Sequence, residues 1–124
     1  MIQGRVTSRQ ARILLQIHGS TSQSQDIEAI IDTGFNGFLT LGKRLIANLG
    51  LARIGRTRAI LADGTEQLLD LYEVTVIWDG KPRTIEVDAT NTDPLVGMSL
   101  LEGHDLTMSV REGGYVVITE TLPS

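Results

Sequence analysis

Glycine-containing turn signals divide much of this chain into pairs of short apolar runs. Asp63-Gly64, Asp79-Gly80 and Gly113-Gly114 each stand between two such runs. Aspartate and glycine tolerate the positive φ angles of tight hairpin turns, and Asp-Gly between apolar runs is a strong hairpin signal. The runs are rich in valine and isoleucine, which favour strands. The pattern therefore predicts a mainly β protein.

Two segments have helical rather than strand character. Residues 43–49 place Leu45, Ile46 and Leu49 at helical spacing, and Gly50 follows as a C-terminal stop. Residues 98–102 have room for one or two helical turns. Residues 20–25 are predicted as a polar loop. The predicted strands are 2–7, 11–18, 28–31, 35–41, 58–62, 65–69, 74–78, 84–87, 106–110 and 115–118, with a short buried run at 95–97.

Length and composition limit the architecture. The chain has 124 residues, of which 41% are hydrophobic and only 4% aromatic, so aliphatic side chains must fill its core. This is enough material for one core, and residues 1–124 are predicted as a single domain. We expect a closed or folded-over β-barrel with one or two short helices.

Charge and composition also exclude several classes of function. The net charge is −4 with acids and bases mixed along the chain, which argues against binding to nucleic acid. There is no cysteine, and the two histidines, His18 and His104, lack metal-ligand spacing to other residues, so no metal site is expected. Neither a signal pattern nor a membrane-length apolar run is present, so we expect a cytoplasmic protein with no membrane partner.

One carboxylate stands at the end of an apolar strand. Ile30 and Ile31 precede Asp32, and Thr33 and Gly34 follow it. Charged residues are rarely buried without a partner or a function. Asp32 is therefore a candidate general acid or base. The structural alternative is an Asx turn, in which the side chain of Asp32 bonds to the backbone of the residues that follow.

Three features in order resemble a known family. Ile31-Asp32-Thr33-Gly34 resembles the active-site signature of aspartic proteases. Leu95-Val96-Gly97, followed by a short helix, resembles the second hallmark of their retroviral-type (retropepsin-like, clan AA) branch. The hairpin at Asp63-Gly64 lies between them, where that branch carries its flap. The match covers roughly residues 10–110, and the chain looks like the small bacterial members of the clan.

The resemblance implies a closed acid-protease-type barrel and an aspartic endopeptidase that cleaves extended peptide or protein substrates without a cofactor. The chain carries one Asp-Thr-Gly motif where pepsin-like enzymes carry two. The resemblance therefore implies a homodimer whose two-fold axis brings two copies of the aspartate together. The implied functional residues are Asp32 for catalysis, Thr33 and Gly34 in the active-site loop, and Ala62, Asp63 and Gly64 in a flap that closes over the substrate.

The chain departs from the retroviral pattern close to Asp32. Phe35 stands where the retroviral enzymes often have alanine, and Asn36-Gly37 makes a second turn where they usually have an acidic residue. In the C-terminal tail, Pro123 cannot donate to a β-ladder, so the dimer surface is expected to differ from an interdigitated terminal sheet. Two alternatives stay open. One is a module that binds peptide or protein without cleaving it, and the other is a β-barrel assembly protein whose Asp-Thr-Gly is structural.

Overall fold

A computed structural model describes residues 1–20 and 23–122, so Pro123 and part of the predicted loop at 20–25 lie outside the described residues. Strands dominate, and two short helices interrupt them. The helices are α1 (Lys43–Leu49) and α2 (Met98–Leu101). The strands are β1 (Ile2–Thr7), β2 (Gln10–His18), β3 (Ser24–Ile31), β4 (Leu39–Gly42), β5 (Ala52–Ile60), β6 (Glu66–Trp78), β7 (Lys81–Thr90), β8 (Leu95–Val96), β9 (His104–Met108) and β10 (Tyr115–Glu120).

The strands form a single curled sheet. Its order is β5-β6-β7-β4-β8-β3-β2-β1-β10-β9, and β6 also pairs with β2. The pairings therefore run in a ring from β6 through β7, β4, β8, β3 and β2 back to β6. The strands β5 and β9 are the two edges of the sheet. This is the mainly β, barrel-type architecture with short helices that the sequence predicts.

The core lies inside the curled sheet and is almost entirely aliphatic. Alternate residues of β2 are buried, including Ile13, Leu15 and Ile17, as a strand with one face on the core requires. Both α1 and α2 add leucines to this core. Trp78 is its one buried large aromatic side chain among the described residues. The low aromatic content of the sequence thus predicted the kind of side chain that fills the core.

Most predicted elements are confirmed, but several strands are longer than predicted. The predicted helix at 43–49 is confirmed to the residue, and Gly50 ends it with a left-handed φ of 62°. The prediction of a strand over 35–41 is wrong at its start, because β4 begins at Leu39. Residues 35–38 instead turn back towards α2, where their carbonyl groups accept hydrogen bonds.

The hairpin turns differ from one another although two share the Asp-Gly dipeptide. Asp79 and Gly80 have positive φ angles of 52° and 80°, and they form a two-residue turn. At the other Asp-Gly pair only Gly64 has a positive φ, and the loop between the strands is five residues long, from 61 to 65. In the described part of the chain, neither helix is long and apolar enough to cross a membrane.

Candidate active site

Main-chain hydrogen bonds fix the position of Asp32 at the end of β3. The strands β3 and β8 pair in parallel, with Ile30 opposite Leu95. Directly beyond this pairing, the N–H of Asp32 donates to the carbonyl oxygen of Val96 at 2.9 Å. The two motifs singled out in the sequence, around Asp32 and around Val96, are therefore direct neighbours in the fold.

A tight turn follows Asp32. The N–H of Gly34 donates to the Asp32 carboxylate oxygen Oδ1 at 2.9 Å, and the N–H of Phe35 donates to the Asp32 carbonyl oxygen at 3.1 Å. The side-chain bond is the Asx turn of the structural alternative, and it also orients the carboxylate. Asp32 is half-buried while Thr33 and Gly34 are exposed, so solvent can reach this turn.

The ring of Phe35 packs against two glycines. A Cβ atom on Gly37 would lie 2.5 Å from the Phe35 ring, and one on Gly97 would lie 2.6 Å from it. A Cβ on Gly97 would also lie 2.2 Å from the Gly37 carbonyl oxygen. Phe35, which differs from the residue usual in the retroviral enzymes, therefore has glycine at both positions, 37 and 97, that face its ring.

The same loop supplies hydrogen-bond acceptors to the start of α2. We call residues 32–38 the Asp32 loop. The N–H groups of Met98 and Ser99 donate to the carbonyl oxygens of Phe35 at 2.8 Å and Gly37 at 3.1 Å. The hydroxyl of Ser99 also donates to the carbonyl of Asn36. The first N–H groups of a helix have no partner within it, so the Asp32 loop caps α2.

One residue that helps to position Asp32 was not predicted from the sequence. Thr40 is the only buried polar side chain among the described residues, and its Oγ1 accepts a 2.8 Å hydrogen bond from the N–H of Leu95. This bond holds β8, and β8 in turn holds Asp32. The available signal was a threonine between two leucines, Leu39 and Leu41; in the structure all three are buried, and only Gly42 at the end of β4 is partly exposed.

The three predicted flap residues lie at the tip of the β5–β6 hairpin. Ala62, Asp63 and Gly64 are all exposed. Oδ1 of Asp63 accepts hydrogen bonds from the hydroxyl of Thr65 at 2.6 Å and from its N–H at 3.0 Å. These two bonds lower the pKa of the Asp63 carboxyl, with the hydroxyl contributing most. Within the described residues no hydrogen bond or ion pair joins this tip to the Asp32 loop.

The β5–β6 hairpin has two different faces. Arg56 and Arg58 lie on the outer face, where Arg56 is 3.6 Å from Asp70 and Arg58 is 3.8 Å from Glu66. These side chains are exposed, so the ion pairs add little stability. The opposite face carries the half-buried residues Thr57, Ala59, Leu69 and Leu71.

An apolar groove of about 480 Å³ opens beside the Asp32 loop. One wall comes from the loop, and the other comes from α2 and the start of β9. His104 in this wall accepts a 3.2 Å hydrogen bond at Nε2 from the indole Nε1–H of Trp78. In the described residues no three His, Asp or Glu side chains come together as a metal-binding group. We refer to this groove by six of its lining residues, Thr33, Asn36, Met98, Ser99, His104 and Leu106.

Solved structures of similar shape decide the type of fold. A retropepsin-like aspartic protease from Rickettsia conorii aligns with 98% of this chain and 91% of its own, at a TM-score of 0.60 and 17% identity. The EIAV protease complexed with the inhibitor HBY-793 aligns with 77% of this chain and 88% of its own, at a TM-score of 0.60 and 14% identity. The fold is retropepsin-like.

A third structural match lies in a larger protein. The foamy viral protease-reverse transcriptase covers 71% of this chain at a TM-score of 0.51 and 15% identity, and the match spans 11% of that protein. No protein-family model matches the chain, and no curated protein matches it in sequence. The retropepsin-like likeness is therefore one of three-dimensional structure, and it bears out the resemblance read from the motifs.

Proposed function

We propose that the protein is an aspartic endopeptidase that works as a homodimer, with Asp32 from each subunit forming the catalytic pair. The observation that carries the proposal is the bond between the Asp32 N–H and the Val96 carbonyl in a retropepsin-like fold. It supports the proposal because it holds an accessible carboxylate rigidly. Thr33 and Gly34 complete the active-site loop in this proposal. No cofactor is part of the mechanism.

Two carboxylates at a shared site suit the activation of water. Carboxylates about 3 Å apart do not both ionise readily, so they hold one proton between them, as is established for aspartic proteases. The ionised carboxylate of one Asp32 then removes a proton from a water molecule, and the oxygen of that water attacks the peptide carbonyl carbon. The protonated carboxylate gives its proton to the carbonyl oxygen, which leaves a tetrahedral diol. When this diol collapses, the carboxyl that took the water proton passes it to the amide nitrogen as the C–N bond breaks, and a diol hydroxyl returns its proton to the other carboxylate, so an amine and a carboxylic acid leave and the pair is restored. The pair titrates as a unit.

The β5–β6 hairpin is the proposed flap. Its tip at Ala62, Asp63 and Gly64 is exposed and can offer main-chain groups to an extended substrate, which binds by adding a strand. The half-buried face with Thr57, Ala59 and Leu69 carries no charged side chain and suits uncharged side chains of the substrate. The proposed substrate is therefore an unfolded or extended segment of a protein.

Substitution of Asp32 by asparagine tests the proposal. Asp32→Asn keeps the size of the side chain and the acceptor for the Gly34 N–H but removes the ionisable group. We expect cleavage of an unfolded protein at acidic pH to fall roughly a thousandfold or more, with unchanged thermal unfolding. Asp26→Asn is the matched control, because Asp26 lies exposed on β3, the strand that leads to Asp32. Retained cleavage in Asp32→Asn rules out the catalytic role.

The same assay separates the binding module from the enzyme. If the wild-type protein binds an extended peptide but releases it uncut, the module is correct and the proposal is wrong. If it neither binds nor cuts, the structural role of Asp-Thr-Gly is favoured. Location in the cytoplasm remains a sequence-based prediction, and cell fractionation tests it.

A further inference from the structure

We propose that Asn36-Gly37 is a self-modification site, at which the chain loses ammonia and converts Asn36 into aspartate or isoaspartate without an enzyme. The dipeptide lies in the Asp32 loop, four residues after the candidate catalytic carboxylate. It stands out in the sequence as a second turn, and the proposed catalytic step makes no use of it. The conversion does not depend on protease activity, because its reactants are two neighbouring residues and water.

The reaction needs a main-chain nitrogen beside an asparagine amide. The nitrogen of Gly37 attacks Cγ of Asn36, the bond from Cγ to the side-chain nitrogen breaks, and that nitrogen leaves as ammonia with the proton that Gly37 gave up. The product is a succinimide ring, which water then opens, and no oxidant or reductant takes part. Hydrolysis at Cγ gives aspartate in an ordinary main chain. Hydrolysis at the main-chain carbonyl carbon gives isoaspartate, in which the main chain runs through Cγ.

The packing of Phe35 requires glycine as the attacking residue. A Cβ at position 37 would lie 2.5 Å from the Phe35 ring, so a larger residue there would displace the ring. Glycine is also the residue whose main chain rotates most freely, and it has no Cβ to hinder the approach of its nitrogen to Cγ of Asn36. The fold therefore places the least hindered attacking nitrogen directly after an asparagine.

The reacting groups are accessible at this site. Asn36 is exposed, and its side-chain amide makes no hydrogen bond to any residue that the structure describes. The N–H of Gly37 likewise has no acceptor among the described residues. The pair Asp63-Gly64, which can form the same ring, differs in this respect, because the N–H of Gly64 donates to the Leu61 carbonyl oxygen at 2.9 Å. Attack by the Gly37 nitrogen therefore breaks no hydrogen bond of its own.

Two hydrogen bonds from Ser99 restrain the loop on either side of the attacking nitrogen. The hydroxyl of Ser99 donates to the carbonyl of Asn36, and its N–H donates to the carbonyl oxygen of Gly37 at 3.1 Å. Ring closure brings Cγ of Asn36 towards the Gly37 nitrogen and rotates the main chain of Asn36, so the bond from the hydroxyl must lengthen or break first. Ser99 therefore slows the conversion.

The two products change the Asp32 loop in different ways. Aspartate adds a negative charge beside the groove and leaves the main chain as it was. Isoaspartate adds a methylene to the main chain between the carbonyl groups of Phe35 and Gly37, which accept hydrogen bonds from the first N–H groups of α2. Both carbonyls cannot then keep their positions, so α2 loses part of its cap. We expect the isoaspartate form to unfold at a Tm lower by about 4 °C.

Incubation of the full chain at mildly alkaline pH, followed by peptide mapping with mass spectrometry, measures the conversion. The chain has two further asparagines, Asn48 and Asn91, which are exposed like Asn36 but are followed by leucine and threonine. They are internal controls. Amide loss at Asn36 should be at least about tenfold faster than at either, because a side chain on the following residue hinders ring closure. Enzymatic methylation of isoaspartate identifies that product.

Three variants complete the test. Asn36→Gln keeps the amide but requires a larger ring, so it should stay intact, and Ser99→Ala should convert several-fold faster. Freshly prepared Asn36→Asp carries the charge without the altered main chain and should keep the wild-type Tm, whereas the Tm of incubated wild type should fall as isoaspartate accumulates. Equal rates at the three asparagines would overturn the site, and an unchanged rate in Ser99→Ala would overturn the restraint. No substrate is used, so failure here is distinct from failure of the proposed protease.

Discussion

The N–H of Asp32 lies 2.9 Å from the carbonyl oxygen of Val96 and donates a hydrogen bond to it. Because this bond joins main-chain atoms, the position of the aspartate follows from the pairing of β3 with β8, and the Thr40 hydroxyl supports that pairing through its bond to the N–H of Leu95. The helix α2 begins at Met98, two residues after Val96, and the Asp32 loop caps it. Replacing Gly34, which lies beside the carboxylate, should therefore shift that group. Replacing Gly97, which lies between β8 and α2, should instead disturb the packing.

Gly34→Ala should impair cleavage much more than stability. A Cβ on Gly34 would lie 3.3 Å from Oδ1 of Asp32, so the carboxylate must shift slightly to admit it. Gly34 is exposed and has a φ open to other residues, so the free energy of unfolding should change by less than about 1 kcal/mol. A misplaced catalytic group is costly, and we expect kcat/KM to fall roughly tenfold or more. Wild-type kcat/KM with a folded variant would contradict the assignment of Gly34 to the active-site loop.

Gly97→Ala should destabilise the fold. Its Cβ would lie 2.2 Å from the Gly37 carbonyl oxygen and 2.6 Å from the Phe35 ring, and one of these contacts is with backbone that cannot easily move. Overpacking of this kind costs about 1–3 kcal/mol in the free energy of unfolding, measured by urea denaturation.

Gly42→Ala is the control for this substitution. A Cβ on Gly42 meets no atom within 4 Å, and its φ of −65° is open to alanine. Gly42 is the N-cap of α1, where exchange of glycine for alanine costs at most about 1 kcal/mol. Equal losses of stability in the two variants would show that the close approach at Gly97 is unimportant.

Local turn chemistry explains both the success and the limits of the sequence-based predictions. Asp-Gly predicted hairpins at Asp63-Gly64 and at Asp79-Gly80, and both hairpins exist. Only the second makes the two-residue turn, because Trp78 pairs directly with Lys81. At Asp63-Gly64, the side chain of Asp63 accepts two hydrogen bonds from Thr65, and the loop is five residues long. A dipeptide therefore indicates that a chain reverses direction, but residues outside it set the loop length.

The candidate site was predictable where it depends on short motifs and not where it depends on distant contacts. Asp32 and Val96 stood out in the sequence, while their direct hydrogen bond follows from parallel pairing of β3 and β8, which no local pattern encodes. The strand predicted over 35–41 failed at its start because α2 needs acceptors for its first N–H groups. Thr40 was missed because a single threonine in an apolar run gives no sign of its partner.

Thr65→Val should raise the pKa of Asp63 towards its ordinary value. Valine has nearly the shape of threonine but lacks the hydroxyl that contributes most to lowering this pKa. In the wild type the bonds at the tip of the β5–β6 hairpin should persist as pH falls below the ordinary range of aspartate and then break as the carboxyl protonates. Titration of the Asp63 side chain by NMR checks this, and an unchanged midpoint in Thr65→Val would contradict it.

Asp88→Asn should stabilise the protein at neutral pH. Asp88 is half-buried in β7, and burial, with a smaller contribution from the nearby charge of Glu86, raises the pKa of its carboxyl. A raised pKa means that the folded state binds the proton more tightly than the unfolded state, so stability falls as pH rises through this pKa. Asparagine removes that loss. Since the group is partly solvated, we expect a gain of less than about 1 kcal/mol.

The pH dependence distinguishes this electrostatic gain from a change in packing. The advantage of Asp88→Asn should be present at pH 7, should shrink as pH falls through the raised pKa of Asp88, and should be gone below the ordinary aspartate value of 3.8, where Asp88 is protonated in both states. Glu86→Gln, which removes the smaller of the two causes, should lower the pKa of Asp88 only slightly. Urea denaturation of the three proteins between pH 3 and pH 8 measures these differences. A gain that is constant over this range would show that the asparagine acts through packing or hydrogen bonding and not through the buried charge.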